Sequence, residues 1–177
     1  MKARVVINVE DLRRLESQAL SAYPSETFSI LTGYVRLVKG SIEASIVGFT
    51  SEGRYYKILQ ADTDHVIFRI ARKALLIPAH AGIWHTHPLQ PLNGIPPALV
   101  HSKLKEASSL SPQDEALVVK VASDAGRPIV AGVTAVTKAS WGLQFYTSFY
   151  ITLSQRVIKA KLEAAPYVKP EALRGRN

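Results

Sequence analysis

Patterns typical of strands and of helices follow one another in an irregular order along the 177 residues. Residues 3–7 have strand character, and apolar side chains then recur at helical spacing over 9–22. Two β stretches at 28–38 and 41–50 come next, without a helix between them. Because a purely parallel sheet needs regular βαβ alternation, we expect one α/β or α+β domain with a mixed β-sheet and helices outside it.

Proline, glycine and capping residues divide the rest of the chain. Ser111 followed by Pro112, with acids in the next turn, predicts a helix start, and Gly126 predicts its end. The elements predicted after residue 50 are a strand at 54–60, a helix from 63 or 64 to 76, a strand at 81–84, a loop at 88–97, a short helix at 98–108, a helix at 111–124, strands at 129–136 and 141–149, and a last helix at 153–164.

The composition excludes several classes of protein. Apolar residues make up 47% and charged residues 20%, which is typical of a globular domain. The absence of cysteine excludes disulfides, Cys-ligated zinc fingers, iron–sulfur clusters and thiol nucleophiles, so any metal must be held by His, Asp or Glu. We find neither an apolar run of about 18 residues nor a signal peptide, and therefore expect a soluble, cytoplasmic protein without a membrane partner.

Basic residues are concentrated toward the C-terminus. Residues 156–177 contain six Lys or Arg and two Glu, which supply a net +4 of the chain's +8. Such a tail can contact nucleic acid or an acidic protein, or it can be a solvated end that keeps the chain soluble. No aromatic-interleaved binding motif accompanies it, which favours the solvated end.

The segment Gly82-Ile83-Trp84-His85-Thr86-His87-Pro88 carries the most specific chemistry. His85 and His87 stand at i and i+2 on a predicted strand, so their side chains point to the same face and can converge on one ion. A zinc site also needs a third ligand, and Asp114 is the best candidate. The alternatives are a pair of exposed or core histidines, and a capping box in which Ser111 and Asp114 only begin a helix.

The combination of His85-Thr86-His87-Pro88 with Ser111-Pro112-Gln113-Asp114 resembles the motifs of the JAMM/MPN+ (JAB domain) zinc metalloproteases of prokaryotic type. Glu26, within the segment Pro24–Gly33, matches the family's upstream glutamate. The resemblance covers about residues 1–150, with Ser29 where the family often has glycine. It implies an MPN/JAB-like mixed β-sheet sandwich with flanking helices, similar to cytidine deaminases, over residues 1–165, followed by a basic tail at 166–177.

The resemblance also implies an activity. His85, His87 and Asp114 would hold one zinc ion (Zn²⁺) per chain, Glu26 would be the general base, and Ser111 would stabilise the oxyanion. The reaction would be hydrolysis of an isopeptide or peptide bond, by analogy at the C-terminus of a ubiquitin-like protein. A non-catalytic scaffold of the same fold and a nucleic-acid-associated protein that uses the basic tail are the alternatives.

Residues 89–110 are an apparent insertion relative to the family. The segment contains three prolines after Pro88 and an apolar helical face, so we expect a flap or short helix beside the substrate groove. The alternative is a surface excursion away from the groove, since long insertions cost little closure entropy.

Overall fold

The computed structural model describes residues 1–51 and 70–168. The predicted strand at 54–60 and most of the helix predicted from 63 or 64 lie outside the described residues, although residues 70–74 are helical. The strands are β1 Lys2–Asn8, β2 Phe28–Val38, β3 Ser41–Ser51, β4 His80–Pro88, β5 Val130–Ala139, β6 Gly142–Leu153 and β7 Arg156–Ala165. The named helices are α1 Val9–Ala22, α2 Pro97–Ala107 and α3 Pro112–Ala125.

The strands form a closed barrel in the order β1-β3-β2-β4-β5-β6-β7. β1 is parallel to both β3 and β7, β4 is parallel to β5, and the other neighbours are antiparallel. The predicted α/β (α+β) sandwich of MPN/JAB-like, cytidine-deaminase-like architecture is therefore wrong. Parallel pairing of β7 with β1, from Arg4↔Lys161 to Asn8↔Ala165, closes the sheet on itself.

The helix predicted at 153–164 is also wrong, because the segment contains the end of β6, a turn and most of β7. A turn at Ser154, whose φ is 57°, leads from β6 into β7. Ala160 is buried, and Ile158 and Leu162 pack against the same core cluster, whereas the intervening side chains, Lys159, Lys161 and Glu163, face outward. This period of two is the pattern of a half-buried strand.

Consecutive residues of β4 pack into different core clusters. Trp84 is fully buried with Leu31 and Phe149, in the cluster that also receives α1. Ile83 packs into a second cluster together with Phe28. Side chains of α3 and of the helical segment at 70–74 also belong to this second cluster. Because side chains alternate along a strand, His85 and His87 share the face of Ile83, on the side of α3.

The insertion at 89–110 is docked on the barrel. Val100 and Leu104 of α2 are buried against Ala135 and Ala139 of β5. Leu92 forms an isolated parallel bridge with Ala139. The predicted short helix is present, and it packs as part of the fold. Within residues 1–51 and 70–168, no helix is both long and apolar enough to cross a membrane.

Candidate metal centre

The two histidines of β4 and the aspartate of α3 lie side by side. The Nε2 atoms of His85 and His87 are 3.0 Å apart. Asp114 Oδ1 is 3.6 Å from Nε2 of His85, and Asp114 Oδ2 is 3.4 Å from Nε2 of His87. The side chains of His85 and Asp114 are 8% and 6% exposed, and that of His87 is 20% exposed, so solvent reaches the group from the side of His87.

The start of α3 fixes the position of Asp114. The backbone N–H of Asp114 donates to Ser111 Oγ at 3.0 Å, and the backbone N–H of Ser111 donates to Asp114 Oδ2 at 2.9 Å. The predicted capping box is thus present. It leaves Asp114 Oδ1 on the side of His85, so one carboxylate both caps the helix and faces the two imidazoles. The cap and the ligand group are compatible.

A backbone carbonyl orients the ring of His87. Nδ1 of His87 lies 2.8 Å from the carbonyl oxygen of Ala107, the last residue of α2. A carbonyl can only accept, so Nδ1 carries the proton. In the neutral ring the lone pair is then on Nε2, the atom that faces His85 and Asp114.

Burial and neighbouring charge set different protonation equilibria for the three side chains. Burial, with a further contribution from His87, lowers the pKa of His85 to about 4 despite the nearby Asp114. Burial also opposes protonation of His87, but the contacts with Asp114 and Ala107 outweigh it and raise the pKa of that ring. Burial disfavours the Asp114 carboxylate, but His87, His85 and Ser111 together hold its pKa below the usual range. At neutral pH, Asp114 is ionised and His85 is neutral, as metal ligands must be.

Glu26 lies in the short connection between α1 and β2. The backbone N–H of Thr27 donates to Thr86 Oγ1 at 2.9 Å, and the backbone N–H of Thr86 donates to the Thr27 carbonyl at 3.1 Å. Thr86 stands between the two histidines, so this pairing holds Glu26 at their level. Glu26 is 9% exposed, and its charge contributes to the raised pKa of His87.

One cleft of about 560 Å³ is lined by Glu26, Ser111 and two of the candidate ligands, His87 and Asp114. The third candidate ligand, His85, lies deeper in the protein. Both ends of the insertion also contribute to its wall. The lining residues are Glu26, His87, Pro88, Leu89, Glu106, Ala107, Ser109, Leu110, Ser111, Gln113 and Asp114.

The donor group suits zinc in chemistry and in spacing. Two imidazole nitrogens and a carboxylate are a common ligand set for a catalytic zinc with one position left for water. Ligand atoms at about 2.0–2.2 Å from a tetrahedral ion are about 3.3–3.6 Å apart. The two Nε2 atoms are 3.0 Å apart, and each has a different Asp114 oxygen nearby, Oδ1 at 3.6 Å from His85 and Oδ2 at 3.4 Å from His87. Among the described residues, His85, His87 and Asp114 form the group that could hold a metal ion.

The other histidines have different surroundings. His80 Nδ1 is 2.8 Å from the carbonyl oxygen of Ala74, and the ring of His101 packs edge-on against Tyr146. His65 lies outside the described residues. The role of Ala107 is not predictable from the sequence, because a backbone acceptor leaves no signal in residue type.

Comparisons with known proteins add little to this geometry. No family model matches the chain, and no curated protein matches it. Among solved structures, the chain is similar to the solution structure of protein DSY2949 from Desulfitobacterium hafniense, at 11% sequence identity and a TM-score of 0.47. That match covers 97% of this chain and 99% of the other. Such a distant likeness carries no information about the site, which is therefore interpreted from its own residues.

Proposed function

We propose that this protein is a zinc-dependent metallopeptidase. The observation that supports it best is the convergence of two histidines and an aspartate at ligand spacing beside a cleft that Glu26 and Ser111 also line. The sequence motifs resemble those of JAMM/MPN+ proteases at the same five positions. The proposal rests on the site and these motifs, and it does not depend on the sandwich fold, which the barrel replaces.

His85, His87 and Asp114 would hold the metal. When bound, zinc would acidify a water molecule and polarise the carbonyl of the scissile bond. The protein's contribution is to present two imidazoles and one ionised carboxylate in fixed positions. The capping box restrains Asp114, and the Ala107 carbonyl restrains His87.

Glu26 would transfer the proton. Its carboxylate lines the cleft beside His87 but is not part of the donor group, so it is placed to accept a proton from the attacking water. The same carboxyl group would then return that proton to the leaving amine. An amide at this position cannot accept the proton, which makes Glu26→Gln the most direct test of this role.

Ser111 would stabilise the oxyanion of the tetrahedral intermediate. In the capping box its Oγ accepts a hydrogen bond from the Asp114 backbone, so the hydroxyl proton can be donated into the cleft. A donor aimed at the developing negative charge is a large term in amide hydrolysis.

We propose a peptide or isopeptide bond next to the C-terminus of a ubiquitin-like protein as the substrate. Motif resemblance supports this choice. The open cleft supports it further, because its wall combines apolar Pro88, Leu89 and Leu110 with the acidic Glu26 and Glu106. Such a wall can accommodate a peptide segment with apolar or basic side chains.

Metal analysis combined with a cleavage assay tests the function. Protein purified without chelator should contain about one zinc per chain. His87→Ala should lose the metal, Glu26→Gln should keep it but lose hydrolysis of a ubiquitin-like fusion, and His101→Ala is the matched control at an exposed histidine. A His87→Ala protein that retains stoichiometric zinc would contradict the metal site. A Glu26→Gln protein that cleaves at the wild-type rate would contradict the role of Glu26.

A further inference from the structure

The contact between His87 and Ala107 connects the insertion directly to the candidate metal site. The Ala107 carbonyl faces Nδ1 of His87, and the next backbone N–H, that of Ser108, donates to the Leu104 carbonyl at 2.9 Å. The peptide group between Ala107 and Ser108 therefore accepts a hydrogen bond from His87 through its carbonyl and donates one to α2 through its N–H. Its orientation depends on what holds Ser108.

Two side chains of β6 hold Ser108. The hydroxyls of Ser108 and Ser148 are 2.8 Å apart, and the Tyr150 hydroxyl donates to the Ser108 carbonyl at 3.2 Å. Ser108 is fully buried, and the other two residues are 4% and 7% exposed. Such buried hydrogen bonds are costly to leave unmade, so they restrain the end of α2 strongly.

The register of the barrel places these two side chains on the face of the metal site. His85 pairs with Val133, and Val133 pairs with Ser148. Tyr150 lies one row further along the same face of the sheet, because residues two apart on a strand point the same way. The end of α2 thus bridges from β6 to His87.

We infer that Ser148 and Tyr150 are positioning residues for His87, acting through the Ser108 backbone and the Ala107 carbonyl. They fix the peptide that accepts the Nδ1 proton, and so they hold the ring in the tautomer whose Nε2 lone pair faces Asp114. A group that accepts the ring N–H of a metal-binding histidine orients that ring, and its loss typically weakens metal affinity about 10–100-fold. Ser148 and Tyr150 act one step further away, by holding the peptide that carries this acceptor. This inference rests on the proposed metal site, but its effect on the tautomer does not require a metal.

The test compares Tyr150→Phe and Ser148→Ala with wild type and with a control on the same strand. Tyr150→Phe keeps the ring, including its contact with Lys159, and removes only the hydroxyl. Tyr146→Phe is the matched control, since the Tyr146 ring packs against His101 and its hydroxyl, unlike that of Tyr150, makes no hydrogen bond to Ser108. Zinc dissociation constants from chelator competition and ¹⁵N NMR shifts of the His87 ring in metal-free protein, at a pH where the ring is neutral, are the two measurements.

We expect each β6 variant to bind zinc measurably more weakly than wild type, by up to about tenfold, and Tyr146→Phe to bind zinc as wild type does. The ring shifts should report a smaller share of the Nδ1–H tautomer in the metal-free variants. If folded variants keep both the wild-type tautomer and the wild-type zinc affinity, the inference is overturned. If wild type binds no zinc, the proposed function fails, whereas the tautomer measurement still decides whether Ser148 and Tyr150 position His87. If Tyr150→Phe does not fold, Ser148→Ala gives the same two readouts.

Discussion

Ser111 has two separable roles in this structure, so substitutions at this position test whether it is more than a helix cap. As N-cap of α3 it accepts the Asp114 N–H at 3.0 Å, and as a lining residue of the cleft it presents a hydroxyl beside His87 and Asp114. Ser111→Ala removes both functions. Ser111→Gly removes the hydroxyl at little cost to the cap, and Ser111→Thr keeps a hydroxyl.

The expected magnitudes differ between the two roles. Replacing a capping serine by alanine costs about 1 kcal/mol of unfolding free energy, whereas glycine costs only a few tenths. Loss of a donor to the oxyanion lowers kcat about 10²–10³-fold. Because the Ser111 backbone N–H still donates to Asp114 Oδ2 in either variant, the zinc content should stay near that of wild type.

Urea denaturation, zinc analysis and steady-state cleavage of a ubiquitin-like fusion measure these quantities on the same preparations. We expect Ser111→Gly to be nearly as stable as wild type yet as slow as Ser111→Ala, and Ser111→Thr to recover much of the rate. If kcat instead follows stability across the three variants, with glycine close to wild type, Ser111 is a cap only and the oxyanion donor is another group.

Two further predictions concern stability. Burial disfavours the Glu43 carboxylate, but its contacts with Arg4 and Arg36 outweigh burial and lower the pKa of Glu43. The ion pairs should therefore stabilise the fold fully above about pH 4.5, and this stabilisation should be lost as the pH falls through the folded-state pKa. Denaturant titrations at pH 7 and about pH 3 should therefore show that Glu43→Gln is destabilised relative to wild type by more at pH 7 than at pH 3. An equal difference at both pH values would contradict the ion-pair explanation. Leu104→Ala should lower the free energy of unfolding by about 2–5 kcal/mol, because Leu104 is buried between α2 and β5. Leu99→Ala, at an exposed position of the same helix, should lower it little. Equally small losses in both variants would mean that α2 is not part of the core.

Local signals account for what the sequence predicted well. The bounds of α1 at Val9–Ala22 follow from helical spacing ended by Pro24, and α3 begins after Ser111 and ends before Gly126, which has the expected left-handed conformation. The shared face of His85 and His87 follows from the period of two in a strand. Each of these features is determined by residues within a few positions of one another.

The errors involve contacts between distant residues. Ile158, Ala160 and Leu162 alternate with charged side chains, which could have indicated a strand, but the short apolar residues around them also fit a helix. What decides the conformation is pairing with the preceding strand β6 and with β1, whose residues are 157 positions away in the chain. Closure of the barrel depends on the same long-range pairing, so no local pattern distinguished it from a sandwich.

The candidate site can form although the predicted fold is wrong, because each piece of the site is determined by local sequence. The ligand group needs one strand that presents His85 and His87, one capped helix start that presents Asp114, and a neighbouring turn that presents Glu26. In the barrel, the pairing of β2 with β4 and the packing of α3 on that face bring these pieces together. The insertion lies between the strand and the helix, and its last turn contacts His87 directly. The additional residues therefore form part of the wall of the site and restrain one of its ligands, which is why shortening the segment should alter metal binding as well as access to the cleft.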